Sequence, residues 1–261
     1  MWERIEGLIP VPTNTHPRGG GRKRVPYRTV MNGIFFVLRT GCQWKALDAT
    51  GICSGSTAHA RLQEWTQAGV FEGLWQMALE DYDELKGIDW KWVCMDGAIT
   101  KSPLGGEKTG PNPTDRAKEG TKRSLVCDGS GIPLGVCVEG ANRHDMKTVE
   151  ETLESILAPR PQPTEEQPQN LCLDKGYDYD EVRDLVEEFG FTAHIRTRGE
   201  EARLIKEKAG FKARRWVVER THSWMNRFRR IFTRWEKKAE NYLGMLHLVC
   251  AIITIRQLIF G

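Results

Sequence analysis

The stretch that decides the fold is Arg215–Trp235, RWVVERTHSWMNRFRRIFTRW. Laid out at helical spacing, Val217, Trp224, Phe228, Ile231, Phe232 and Trp235 share one side, with Thr221 among them. Steps of three and four predict a helix. Arg215, Glu219, His222, Asn226 and Arg230 share another side at the same spacing. A single carboxylate, Glu219, therefore stands in a stripe of cations and hydrogen-bonding groups. Alone, this is an amphipathic surface helix in which Arg215 supports Glu219 from four residues back. With acids supplied from elsewhere in the chain, Glu219 becomes an acidic ligand within a basic surface suited to phosphates. The upstream sequence decides between the two.

A chain of 261 residues suits one large domain, or a small one joined to a medium one. The formal net charge of +3 does not by itself point to nucleic acid, but its distribution does. From Arg203 to Lys238 there are thirteen Lys or Arg against three Glu, whereas acids dominate from Asp145 to Glu188. This asymmetry suggests a basic binding surface beside an acidic centre, although any single charged run also reads as a solvated face. The seven cysteines are odd in number and form no C-x-x-C or Cys/His cluster. They argue against a disulfide framework or a structural zinc site and for a reducing cytoplasm. Met1-Trp2-Glu3-Arg4 is not read as a signal peptide, since no long apolar core follows. The apolar run Leu243–Ile259 is broken by His247, Arg256 and Gln257, so it reads as a buried terminal helix and no membrane is expected.

Residues 1–86 read as a small all-helical unit. Trp2–Ile9 is a short helix ended by Pro10 and Pro12. Thr13–Pro26 is a loop centred on Gly19-Gly20-Gly21-Arg22-Lys23-Arg24, which reads equally as a linker and as a flexible basic arm lying on a DNA backbone. Tyr27–Thr40 is a helix stopped by Gly41, Ser56 is an N-cap for Thr57–Trp65, and another helix runs from Val70 to about Leu85. The turn before Ser56 resembles helix-turn-helix geometry, in which Thr57, His59 and Arg61 reach a major groove. Many three-helix units share that outline.

Residues 87–261 alternate strands and helices. Trp90–Met95 is a short strand ending at Asp96, and Thr121–Cys127 with Ile132–Val138 forms a hairpin across Asp128–Gly131. A helix Met146–Leu157 is capped by Asp145, the strand Leu171–Leu173 ends at Asp174, and a helix Asp180–Phe189 follows a cap at Asp178. Thr192–Ile195 is the last strand before the helix at Arg215. This is the order of a ribonuclease H-like α/β fold, a mixed sheet flanked by helices, here preceded by a helical DNA-binding domain. In it the first and fourth strands are neighbours, so Asp96 and Asp174 sit together with Glu219 packed beside them.

An acid at the end of a buried strand is costly unless it binds something. Two carboxylates a few ångströms apart also repel. A divalent cation removes both difficulties, and oxygen ligands without Cys point to Mg²⁺ or Mn²⁺. Two such ions about 3.5–4 Å apart can hold a phosphodiester. Asp96, Asp174 and Glu219 are the candidate ligands and catalytic residues. His222 and Asn226 are candidates to position the nucleophile or scissile phosphate, and Lys175, Arg215 and Arg230 to meet phosphates.

Six segments carry a specific likeness: Trp2–Ile5; Asn32–Trp44; Met95-Asp96-Gly97; Gly140-Ala141-Asn142-Arg143-His144-Asp145; Leu173-Asp174-Lys175-Gly176-Tyr177-Asp178; and Arg214–Arg230. Over nearly its full length the chain resembles bacterial insertion-sequence transposases of the DDE class, IS-five type. The resemblance implies Asp96, Asp174 and Glu219 as first, second and third acids. It implies double-stranded DNA as partner, Mg²⁺-dependent cleavage at terminal inverted repeats, and strand transfer by the 3′-hydroxyl. A homodimer on DNA is expected, because two ends must be cut together. The wider group carries a Tyr, an Arg, the Glu and a Lys in the last motif. Arg215 fits the Arg, no Tyr stands before it, and Asn226 or Arg227 stands where the Lys would be. Two other readings are a catalytically silent DNA-binding protein and a nuclease without strand transfer. If the basic loop is an arm, Arg22→Ala with Lys23→Ala weakens binding to every DNA sequence and flattens its salt dependence in a filter-binding titration. An unchanged salt slope removes the arm from the interface.

Overall fold

Strand β1 (Trp92–Lys101) is the axis of the molecule. It pairs antiparallel with β3 (Glu119–Cys127) along eight residues, Cys94↔Cys127 to Lys101↔Gly120. On its other side it pairs parallel with β5 (Asn170–Leu173) over only three, Trp92↔Asn170 to Cys94↔Cys172. β4 (Pro133–Gly140) lies antiparallel outside β3, and β6 (Thr192–Ile195) parallel outside β5. The sheet order is therefore β4-β3-β1-β5-β6, with the two-residue β2 (Gly110–Pro111) added at the start of β3. Three antiparallel strands followed by two parallel ones, with the first beside the fourth main strand, is the ribonuclease H-like arrangement. The computed structural model describes residues 2–11, 23–195, 214 and 216–261.

The expectation that the first strand stops at Asp96 does not hold. β1 continues through Asp96 and Gly97 to Lys101 because β3 supplies a register partner for every residue there. What ends near Asp96 is the parallel pairing with β5, so a gap opens on one side of β1 beyond Cys94. Strands β3 and β4 are buried along nearly their whole length, as expected of a sheet covered on both faces.

Helices α1 (Trp2–Leu8), α2 (Tyr27–Thr40), α3 (Gly55–Gln67) and α4 (Val70–Lys86) precede the sheet. α5 (Val149–Glu154), α6 (Asp180–Glu188), α7 (Trp216–Asn226), α8 (Arg229–Phe232) and α9 (Ala239–Phe260) follow. α2 stops where Gly41 adopts φ 72° and its N–H bonds Val37 O. A Cβ at Gly41 would lie 2.8 Å from Arg229 Cβ, so glycine also lets α8 approach. The N-cap of α3 is Ser54, whose side chain accepts from Thr57 N–H, and not Ser56. α9 is long and apolar enough to cross a membrane by composition, yet twelve of its residues are buried in this fold. It packs on α4, α3 and β4, and Trp75 of α4 donates to Pro133 O at 3.2 Å. The buried apolar residues form one cluster from Ile5 to Ile253.

The single helix expected over Arg215–Trp235 is in fact α7, a break at Phe228, and the short α8. The apolar stripe is likewise different. Val217, Val218, Thr221, His222 and Met225 face inward, while Phe232 is 58% and Trp235 38% exposed. The break follows from what lies beyond it. Arg230 is buried against Glu236 at 2.7 Å and donates to Cys42 O at 2.9 Å. Arg234, also buried, donates to Glu236 O, Thr121 Oγ1 and the carbonyls of Lys108 and Glu107. Thr233 bridges Lys101 at the end of β1. A straight helix cannot bring all three groups to these partners. Breaking a buried pair leaves an uncompensated charge, so Glu236→Gln is expected to cost about 3–5 kcal/mol in a denaturant melt.

Candidate active site

The gap beside β1 collects the acids. Two residues beyond the Cys94↔Cys172 register on each strand stand Asp96 and Asp174. Side chains alternate along a strand, so Asp96 lies on the same face as Cys94, the face that α7 covers. Cys94 Sγ lies 3.4 Å from Arg214 O just before α7. Glu219 is exposed on α7. One turn later His222 Nε2 lies 3.2 Å from the Asp96 carbonyl. Burial pushes His222 down to about 3, with Arg123 adding to the shift and the bond to Asp96 opposing it. The ring is thus neutral, and since a carbonyl only accepts, Nε2 carries the proton.

Burial raises the Asp96 carboxyl to about 6. The Gly97 N–H, 2.8 Å from Asp96 Oδ1, works the other way, and the charges of Asp174, Asp145 and Glu219 each add to the rise. All three acids are therefore close enough to repel the ionised form. Asp174 Oδ1 accepts the Gly176 N–H at 2.7 Å. Neither Asp96, Asp174 nor Glu219 pairs with a described Lys or Arg. Among the described residues, no three His, Cys, Asp or Glu side chains already stand together at ligating distance.

Several assignments from sequence change. Asp145 does not cap a helix. Its carboxylate pairs with Lys122 Nζ at 2.8 Å, and a Cβ at Gly97 would stand 2.7 Å from its Oδ1. Asp178 likewise is not the N-cap of α6, a place that Tyr179 takes: it pairs with Lys175 and, at 2.5 Å, with Arg183 of α6. His222 and Asn226 each have a partner within the fold. His222 is buried against β1, and Asn226 Oδ1 accepts from buried Arg123 at 2.8 Å. Arg230 is committed to Glu236. On α3, Thr57, His59 and Arg61 are half-buried. His59 stacks on Trp44 with centroids 5.2 Å apart, Arg61 pairs with Glu64, and Arg24 reaches the same Glu64 at 2.9 Å. Lys23 and Arg227 are exposed, whereas Arg22 and Arg215 lie outside the described residues.

A family model described as a transposase DDE domain matches residues 89–254, the whole sheet with α5 to α7 and most of α9. The chain belongs to the DDE transposases. A second model, described as a putative transposase of the IS4/5 family, matches residues 1–75. A putative transposase for insertion sequence element IS402 from Burkholderia cepacia is 36% identical over 152 residues, 57% of this chain and 69% of the relative. An uncharacterised 16.2 kDa protein of the same insertion element is 34% identical over 114 residues, 43% of this chain and 78% of that protein. A solved Mos1 mariner paired end complex with Mn aligns over 93% of this chain and 82% of its own at 14% identity, with a TM-score of 0.29. The fold assignment for this transposase rests on its strand order.

Three neighbours of the acids were not singled out from sequence. Lys122 holds Asp145, Arg123 lies diagonal to Asp96 across the β1–β3 ladder, and the Tyr177 hydroxyl is buried near Asp145, Asp96 and Asp174. The Tyr177 hydroxyl, Arg123 Nε and Nη1, and His222 Nδ1 find no partner among the described residues. Lys122 and Arg123 sit in the polar run Thr121–Ser124 of a strand whose two faces are both covered, a fact no local pattern announces. Asp96 gives the transposase a pH signature without metal. Its folded value of about 6 exceeds the ordinary 3.8, so the fold favours the protonated form. Its contribution is favourable at low pH, declines as pH rises from about 4 to 6, and levels off above that. Asp96→Asn removes the buried charge. The variant is expected to be more stable than wild type at pH 7 by up to about 3 kcal/mol, with the difference vanishing near pH 4 in paired melts.

Proposed function

We propose that this transposase binds duplex DNA at the terminal inverted repeats of its element, cleaves the strands with divalent metal and joins the 3′-hydroxyl ends to target DNA. The observation that carries the reading is Asp96: a half-buried carboxylate, its pKa raised by desolvation and by three like charges, at the gap where β1 leaves β5. Such a site is unfavourable in water alone and is relieved by a hard cation. Asp96, Asp174 and Glu219 are the proposed ligands, and Mg²⁺ or Mn²⁺, as two ions, suits their oxygen donors. Glu219 is exposed on α7, one turn before His222, which holds β1 at Asp96.

When bound, the metal would lower the pKa of the attacking water or hydroxyl and stabilise the leaving oxygen. The chain supplies the rest. Neutral His222 holds β1 at Asp96 through the carbonyl, so the carboxylate keeps its place as charge in the site changes. Lys122 keeps Asp145 paired, whereas Asp96, Asp174 and Glu219 pair with no described Lys or Arg. Exposed Arg227 and Lys175 neutralise backbone phosphates, Lys175 after exchanging Asp178 for DNA. A homodimer, two copies acting on two ends, and a cytoplasmic setting complete the proposal.

The test is cleavage of a terminal-repeat duplex with Mg²⁺. Glu219→Gln is expected to abolish nicking while duplex affinity in a gel shift stays within about twofold, because binding is carried by Lys and Arg. Equal loss of both counts against a ligand role. A wild type that shifts the duplex but never nicks it is a silent binder, and one that nicks without joined products is a nuclease alone.

A further inference from the structure

The end of α2 and the α7–α8 junction place three arginines, Arg39, Arg227 and Arg229, around one open cleft with Asn226 and Phe232. None of the three pairs with a described carboxylate. Arg39 is held in place: it donates to Arg227 O at 2.6 Å and lies over the Phe228 ring at 5.5 Å. Phe232, in the middle of these cations, is 58% exposed, and Phe35, one turn before Arg39, is 39% exposed. Arg28, Asn32, Phe35 and Arg39, in steps of four, three and four, form one exposed stripe of α2 leading to the cleft.

Guanidinium groups gathered with no described acid among them call for anions, and their planar donor forks match phosphate oxygens. The cleft measures about 570 Å³, room for a nucleotide rather than for an ion alone. Exposed phenylalanine among cations adds a further requirement. A duplex hides the faces of its bases, whereas an unpaired strand offers them for stacking, so alternating arginine and aromatic side chains suit single-stranded nucleic acid.

The cleft is joined to the acids by α7. Asn226 lines the cleft and bonds Arg123, while His222, one turn earlier, bonds Asp96. Glu219 and Asn226 are seven residues apart, about 10 Å along the helix axis at 1.5 Å per residue. That is about three nucleotides at 3.4 Å each. We propose that this cleft binds unpaired nucleotides of the DNA strand beside the scissile bond, with phosphates on Arg39, Arg227 and Arg229 and a base stacked on Phe232. The proposal rests on the strand-cleavage reading above.

The experiment measures fluorescence anisotropy of a random-sequence single strand and of its duplex with the full chain, without metal, across a salt series. Arg39→Gln with Arg229→Gln is expected to lower single-strand affinity at least tenfold and to reduce the salt slope by about 1.4, two phosphates at about 0.7 each. Arg229→Gln alone, whose side chain bonds no described residue, is expected to give half that change in slope with an unaltered melt. Phe232→Ala is expected to weaken the single strand about tenfold and leave the duplex unchanged, and Phe232→Trp to restore binding. Equal effects of Phe232→Ala on both DNAs, no effect on either, or an unchanged slope in the arginine variants overturns the proposal. If wild type binds neither DNA, the DNA-cleavage reading itself fails. If it binds and nicks a terminal repeat while the variants hold single strands as wild type does, only the cleft is disproved.

Discussion

A carboxylate drawn partly out of water in the middle of a sheet is the constraint from which the rest of this molecule follows. Asp96 cannot sit where β1 is sandwiched between two full ladders, because nothing there would answer its charge. It sits where the parallel ladder to β5 has ended and the antiparallel ladder to β3 continues. One side of β1 is thus rigid while the other is open. Open α/β sheets place ligands at such splits, outside the carboxyl ends of their strands, for this reason.

The open side needs a wall, and α7 provides it with mixed chemistry. Its buried face carries Val217, Val218, Thr221 and Met225 for packing and His222 for one hydrogen bond to β1. The same helix presents Glu219 outward. An arginine sits beneath, Arg123, tied to Asn226 at the far end of α7. Sheet and helix are therefore fastened to each other at two points, at Asp96 and one helical turn further along α7. A buried layer with Nε, Nη1 and Nδ1 atoms left without described partners is costly, and it persists where position matters more than stability.

The segment after α7 does a different job. Arg230, Arg234 and Glu236 are all buried, and their bonds run to Cys42, Lys108, Glu107 and Thr121. Charges bury only when satisfied, so these residues lock the loop before β3 and the end of α2 to the site helix. The same folding-back leaves Arg39, Arg227 and Arg229 outside with Phe232. Helices α3 and α4 join the remainder through α9, and His59 of α3 lies against Trp44 near Arg230 and Glu236.

Local pattern was enough for much of this. Apart from the end of β1 and the helix at Arg215, apolar spacing located the main helices and strands to within a few residues, because burial of one face is a short-range, periodic demand. Acids following apolar strands and an acid within a basic helix drew attention to Asp96, Asp174 and Glu219 for the same reason. What periodicity could not supply is pairing. Whether β1 ends at Asp96 depends on β3, and whether Asp145 caps a helix or pairs with Lys122 depends on a hairpin two dozen residues away. Whether Arg230 meets DNA or Glu236 depends on a break at Phe228 that has neither proline nor glycine to announce it. Sequence by itself determined the order of elements and the residue types able to hold a hard cation, since both follow from neighbours along the chain. Only the tertiary structure decided which charges are buried, which are already paired and which face solvent, since those are settled by groups distant in sequence that meet at a few ångströms.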